Sequence, residues 1–170
     1  MRAAPRASRI RLLVLDVDGV LTDGGLLFSA SGEETKRFHV HDGLAMVAAR
    51  QAGLQVAILS SRASAAVTRR MAELGVGEVH QGVTDKAGGL DALRERLGLA
   101  RAEVAMMGDD LPDLLAMARA GLALAPANAV AEVKRAAHWV ARRRGGDGAV
   151  REAVEMLLKA RRAWPPPSER

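Results

Sequence analysis

Asp16 and Asp18 stand two residues apart where the apolar run 10–15 gives way to a glycine-bearing turn. Where a chain leaves extended geometry, both carboxylates can face one crevice, and one can attack an electrophile while the other handles a proton. Clustered acids repel unless a cation lies between them. Asp109, after the apolar run 104–107, would complete an oxygen-only site that suits Mg²⁺ and argues against zinc. Ser60 follows another apolar run, 54–59, and Lys86 follows Gly82-Val83-Thr84-Asp85. Phosphate monoesters hydrolyse so slowly in water that a catalyst must remove on the order of 20 kcal/mol or more from the barrier. A carboxylate nucleophile, a divalent cation, a lysine opposite the phosphoryl oxygens and a second carboxyl group that shuttles the leaving-group proton together meet that demand. The sequence offers one candidate for each role.

Taken singly, these residues have ordinary structural uses. Asp-x-Asp-Gly is a common turn, Asp109-Asp110 before Leu111-Pro112 suits a helix start, Ser60-Ser61 can cap a helix, and a lone Lys86 is most often a surface charge. Their joint occurrence at strand ends carries the functional reading.

The elements that must position them follow from periodicity and punctuation. Residues 10–16 predict a strand, 26–28 and 35–40 the arms of a small β-hairpin flap spanning about 24–40, and 43–52 a helix closed by Gly53. Strands at 54–59, 78–80, 104–107, 122–125 and 138–140 alternate with helices at 63–74, 86–97, 111–120 and 130–136, and a last helix covers 149–161. This alternation predicts an α/β, three-layer Rossmann-like fold, a mainly parallel sheet with right-handed crossovers and helices on both faces. Ligands in such sheets bind beyond the carboxyl ends of the strands. That rule gathers Asp16, Asp18, Ser60, Lys86, Asp109 and Asp110 around one crevice. One domain is expected over 1–162, with 163–170 a disordered tail that includes Pro165-Pro166-Pro167-Ser168.

Composition bounds the alternatives. With 170 residues, 49% of them hydrophobic and only 2% aromatic, the chain can bury one aliphatic core. It has no cysteine, which excludes disulfides and thiolate metal sites. The net charge of +5 is spread along predicted helices apart from 142–144 and 161–162, so it argues only weakly for nucleic acid; a small anionic substrate accounts for it as well. The apolar run 12–15 is too short for a signal peptide or a membrane span, and a cytoplasmic location with no membrane partner is expected.

Asp16-Val17-Asp18-Gly19-Val20-Leu21-Thr22 resembles the first motif of the haloacid dehalogenase superfamily, Ser60 its second, Lys86 its third and Gly108-Asp109-Asp110-Leu111-Pro112-Asp113 its fourth, in order and at suitable spacing. The resemblance implies that Asp16 is nucleophile and Mg²⁺ ligand, passing through an aspartyl-phosphate. It implies that Asp18 is general acid/base and binds the metal through its backbone carbonyl. Ser60 would hydrogen-bond the phosphoryl group, Lys86 would pair with its charge, Asp109 would ligate Mg²⁺, and Asp110 and Asp113 would support the site.

The stretch between Thr22 and Ser60 holds only the flap and one helix, which leaves no room for a large cap domain. Here the chain is similar to the capless branch formed by the 3-deoxy-D-manno-octulosonate 8-phosphate phosphatases. The similarity rests on Gly32-Glu33-Glu34, Phe38-His39-Val40-His41-Asp42-Gly43, Gln81-Gly82-Val83-Thr84-Asp85-Lys86 and Gly145-Gly146-Asp147-Gly148-Ala149-Val150-Arg151-Glu152. It implies a homotetramer in which the flaps assemble and the C-terminal segment reaches a neighbour's site. It also implies substrate contacts from Asp18, His39, Val40, His41, Asp42, Gly43, Ser60, Ser61, Arg62, Arg70 and Lys86. Arg62 and Arg70, about two turns apart on one helical face, are expected to approach the sugar carboxylate together. His39, His41 and Asp147 depart from the family pattern. A nine-carbon keto-sugar acid phosphate is the alternative substrate, and a non-catalytic interaction module the alternative from another class.

Overall fold

A computed structural model of the chain describes residues 4–165. Helix α1 (Ala4–Ala7) precedes strand β1 (Leu12–Leu15), all four of whose side chains are buried. Successive strand residues face opposite ways. Leu13 and Leu15 enter one helix layer and Leu12 and Val14 the other, so β1 reads as a continuous apolar run because both faces are covered. The flap follows as β2 (Leu27–Phe28) and β3 (Glu34–Thr35), antiparallel with Leu27 opposite Thr35.

Helix α2 (Val40–Gln51), β4 (Gln55–Leu59), α3 (Ala65–Glu73), β5 (Glu78–His80), α4 (Lys86–Arg96) and β6 (Val104–Met107) continue the alternation. A 3-10 turn at Leu111–Asp113, α5 (Leu114–Arg119), β7 (Leu122–Ala125), α6 (Ala131–Ala136), β8 (Trp139–Val140) and α7 (Ala149–Ala160) complete it. The main sheet has the order β5-β4-β1-β6-β7-β8 and is parallel throughout. Residues of α2, α3 and α7 share one core with Leu13 and Leu15, and residues of α4, α5 and α6 share the other with Leu12 and Val14. Burying a Leu or Val contributes about 1.5–3 kcal/mol. These cores are aliphatic: Phe28 is exposed, and Phe38, Trp139 and Trp164 sit only partly buried at the margin.

Leu15 pairs with Ile58 on one side and Met107 on the other. The ends of β1, β4 and β6 are therefore level, and the residues that follow them meet. Among the described residues, only the two-stranded flap is inserted between β1 and α2, and no large cap is present.

Several boundaries differ from the sequence reading. The flap strands are two residues each, and residues 36–40 do not extend the second. Helix α2 begins at Val40, not at 43, because the His39 ring accepts the His41 N–H as an N-cap. The helix read from 111 opens as a 3-10 turn capped by Asp110. Ala163 and Trp164, expected at the start of a tail, pack on the core, with the Arg151 guanidinium 4.7 Å from the Trp164 ring centroid. The rest of that expected tail, 166–170, lies outside the described residues.

Candidate active site

The turn after β1 builds the floor of the site. The Asp16 N–H donates to the Met107 carbonyl, and the Val17 carbonyl accepts from the N–H groups of Val20, Leu21 and Thr22. The chain doubles back at Gly19, whose φ of +85° is left-handed. A β-carbon there would lie 2.0 Å from Asp109 Oδ2, so this glycine lets the fourth motif close on the first. The Asn128 amide locks the turn from behind: Nδ2 donates to the Gly19 carbonyl at 2.9 Å and Oδ1 accepts from the Gly145 N–H at 2.6 Å.

Lys86 enters from the first turn of α4, whose N-cap is Asp85. Its ammonium lies 2.9 Å from Asp16 Oδ1 and 2.6 Å from Asp113 Oδ1. Asp113, 1% exposed, uses Oδ2 to accept the N–H groups of Asp109 and Asp110. It thus fixes the lysine and the Asp109 backbone at once. Ser60 follows β4 and is buried, and its hydroxyl oxygen accepts the Arg62 N–H at 3.3 Å.

These residues line a cavity of about 280 Å³ that also includes Asp18, Gly24, Ser61, Arg62, Asp109, Asp110 and Pro112. Burial and the charge of Asp113 push Asp16 up to about 6 against the opposing pull of Lys86. Burial, Asp16 and Asp113 push Asp109 up to about 7. For Lys86, burial works against the charge, and Asp16 and Asp113 outweigh it and raise the pKa.

Ligand oxygens of Asp16, Asp109 and Asp113 all lie within 4.8 Å of one another. This is a hard-oxygen set short of positive charge, and it fits a dication such as Mg²⁺. Both Asp113 oxygens already have partners, which leaves Asp16 and Asp109 as the carboxylates open to a metal. The Asp18 carboxylate is turned elsewhere: Lys36 Nζ lies 2.5 Å from its Oδ1 and 2.8 Å from Glu34 Oε1, and Arg62 pairs with Glu34 and approaches Asp18 Oδ2 at 3.5 Å.

Of the residues expected in the site, the fold brings together Asp16, Asp18, Ser60, Ser61, Arg62, Lys86, Asp109, Asp110 and Asp113. The 39–43 group and Arg70 do not line this cavity. Helix α3 starts at Ala65, so Arg62 precedes it and the two arginines do not share a helical face; Arg70 packs over Gly43 and pairs with Glu73. Asp42 is buried and accepts the N–H groups of Gly148 and Arg151, tying α2 to the start of α7. Burial raises its pKa, and those two hydrogen bonds pull the other way. Val40 is exposed, His39 caps α2, and His41 lines a separate hollow of about 550 Å³ with Arg142, Arg143, Asp147, Gly148 and Arg151. Gly145 and Gly146 pack on this chain's own turn, where β-carbons would lie 1.8 Å from the Gly19 carbonyl oxygen and 2.5 Å from the Asp23 nitrogen.

Sequence reasoning missed Lys36 and Asn128. The spacing of Glu34 and Lys36, which puts both on one face of an extended segment, was the available signal for the lysine. Nothing local marks Asn128.

Comparison with known proteins gives a consistent result. A profile of haloacid dehalogenase-like hydrolases matches residues 71–152. The 3-deoxy-D-manno-octulosonate 8-phosphate phosphatase of Escherichia coli K12 is 42% identical over 155 residues, covering 91% of this chain and 82% of its own length. Its Haemophilus influenzae counterpart is 41% identical over 91% of this chain and 86% of its own. Among solved structures, the Moraxella catarrhalis phosphatase of that name, in complex with a magnesium ion, a phosphate ion and KDO, superposes with a TM-score of 0.93 at 40% identity, covering 95% of this chain and 92% of its own. The cobalt-bound Haemophilus influenzae form gives 0.90 at 39%, covering 94% and 95%.

Proposed function

The chain belongs to the 3-deoxy-D-manno-octulosonate 8-phosphate phosphatases among the haloacid dehalogenase-like hydrolases, and from that membership we propose that it hydrolyses this phosphate ester to KDO and phosphate, with Mg²⁺ as cofactor. The observation that carries the reading is the convergence of Asp16, Lys86 and Asp109, from three separate strand-end segments, on one cavity.

Asp16 attacks phosphorus while the bond to the sugar oxygen breaks, and Asp18 gives that oxygen its proton. Water then displaces phosphate from Asp16, and Asp18 takes the water's proton. Lys86, 2.9 Å from the nucleophile, offsets charge on the phosphoryl oxygens. The Ser60 hydroxyl oxygen is already accepting, so its hydrogen is left to donate to the phosphoryl group. Asp16, the Asp18 carbonyl and Asp109 would hold Mg²⁺, which supplies Lewis-acid stabilisation of charge developing on the phosphoryl oxygens. Arg62 lines the cavity wall, which supports a role for it in meeting the sugar carboxylate.

The chain is further proposed to act as a single hydrolase domain that runs through Trp164, and as a homotetramer in the cytoplasm. The flap's exposed Leu26, Leu27 and Phe28 support assembly, since their burial in a soluble monomer is incomplete. The C-terminal segment is proposed to reach a neighbour's site in that assembly. Among the described residues no helix is long and apolar enough to cross a membrane.

The test is phosphate release from a panel of sugar phosphates in Mg²⁺, including the eight- and nine-carbon keto-sugar acids, with Asp16→Asn as control. Preference for the eight-carbon ester, lost in Asp16→Asn, is the expected result. Turnover that survives Asp16→Asn would remove Asp16 from the nucleophile's role, and light scattering reads the oligomer.

A further inference from the structure

The flap reaches the edge of the catalytic crevice through Glu34 and Lys36, which meet Arg62 and Asp18. Glu34 and Lys36 fall on one face of the segment leaving the hairpin, and the Lys36 ammonium ends between Asp18 and Glu34 at 2.5 and 2.8 Å. Its side chain is only 1% exposed, an unusual state for a lysine unless its charge is matched. Arg62 closes a ring of two cations and two carboxylates by pairing with Glu34 and approaching Asp18.

Asp18 lies two residues from Asp16 on the same turn, yet its carboxylate is absent from the group of Asp16, Asp109 and Asp113. A hard dication attracts carboxylates within reach. A carboxylate that ligates it is lost as a proton shuttle, because the same oxygens cannot serve both partners.

Resting on the phosphatase reading above, we propose that Lys36 is a positioning residue: it holds the Asp18 carboxylate toward the flap and Arg62, and so reserves it for proton transfer instead of cation ligation. Lys36 itself forms no bond to phosphorus and transfers no proton. Asp18 protonates the bridging oxygen as the bond from phosphorus to that oxygen breaks and the bond from Asp16 to phosphorus forms. It regains a proton from the water whose oxygen then replaces Asp16 on phosphorus. The flap thereby becomes part of the machinery: its second arm sets the geometry of the acid/base.

The test compares a sugar phosphate, whose alkoxide must be protonated to leave, with 2,4-dinitrophenyl phosphate, whose phenolate leaves unaided. The ratio kcat/KM ends at the first irreversible step, so it isolates departure of the alcohol or phenolate. In Lys36→Met it is expected to fall about 100-fold on the sugar phosphate and less than about fivefold on the aryl ester, the difference being the loss of general acid catalysis. Lys36→Arg should restore most of the sugar-phosphate rate. The half-saturating Mg²⁺ concentration should fall in Lys36→Met, because Asp18 joins the cation.

Equal losses on both esters, in a variant with a wild-type thermal transition, overturn this assignment alone. A wild type inert toward both esters overturns the phosphatase reading and this one with it. Should Lys36→Met fail to fold, the same ratio read in Lys36→Gln decides in the same way.

Discussion

The α-carbon of Gly19 rests against the carboxylate of Asp109, and a β-carbon added there would fall 2.0 Å from Oδ2. Gly19→Ala must therefore push Asp109 aside as well as strain a φ of +85°. We expect kcat to fall by about 10²-fold or more, as for loss of one charge-stabilising group, with weaker Mg²⁺ binding in calorimetry. A variant with normal Mg²⁺ affinity and rate would show that Asp109 can bind the ion from elsewhere.

Mg²⁺ binding should be strongly pH-dependent. Asp16 near 6 and Asp109 near 7 are both raised above the 3.8 of an unfolded aspartate. Their ionisation therefore costs the metal-free fold nothing below about pH 4, and the cost is fully present above about pH 7. Without metal, thermal stability is expected to drop as pH rises through that window, while the stabilisation added by Mg²⁺ grows. Below pH 6, Mg²⁺ affinity should fall about tenfold per pH unit for each proton displaced. Thermal melts with and without Mg²⁺ from pH 5 to 8 measure both trends.

Removing Lys86 would leave Asp16 and Asp113 without their shared cation. Lys86→Met is expected to abolish turnover and to cost about 3 kcal/mol or more at pH 8, the usual effect of breaking a buried ion pair from one side. At pH 5 the loss should be smaller, because Asp16 can then take up a proton. Urea unfolding at the two pH values checks the difference.

Arg62 and Arg70 should behave differently. Arg62→Ala is expected to raise KM for an acidic sugar phosphate at least tenfold, as loss of a charge-assisted hydrogen bond of about 1.5–3 kcal/mol predicts. Arg70→Ala should leave KM within about twofold and act on stability instead, through its packing on Gly43. Steady-state kinetics on the same ester decides between them.

Asn128 touches no expected substrate position but joins the Gly19 carbonyl to the Gly145 N–H. Asn128→Ala is expected to cost about 1–3 kcal/mol, the penalty of leaving such groups unpaired, and to lower kcat more than KM. A loss of stability with no kinetic effect would mean that the turn keeps its shape unaided.

The sheet was legible because β1, β4, β6 and β7 are short apolar runs, and the level ends of β1, β4 and β6 bring together the polar clusters that follow them. Asp16, Ser60, Lys86 and Asp109 were readable for the same reason. The expected pairing of Arg62 with Arg70 failed because the helix starts at Ala65, two residues later than expected, which leaves Arg62 ahead of it in non-helical chain. Asp42 was expected to contact substrate, and only the approach of α7 gives it two N–H groups to cap. Lys36 and Asn128 act across 18 and 109 residues of chain, so the Glu34 spacing marks the lysine's face but no local pattern names either residue's partner.

The packing of Gly145 and Gly146 on the turn at residues 19–23 also has a bearing on biosynthesis. A ribosome releases the first motif long before the segment that braces it, and α2 lacks its α7 partner until then as well. On a nascent chain that stops short of Gly145 the turn at residues 17–22 has its own backbone hydrogen bonds but lacks this packing and the Asn128 bridge to Gly145. Bracing of the turn is thus a late, long-range closure, slow by the measure of sequence separation.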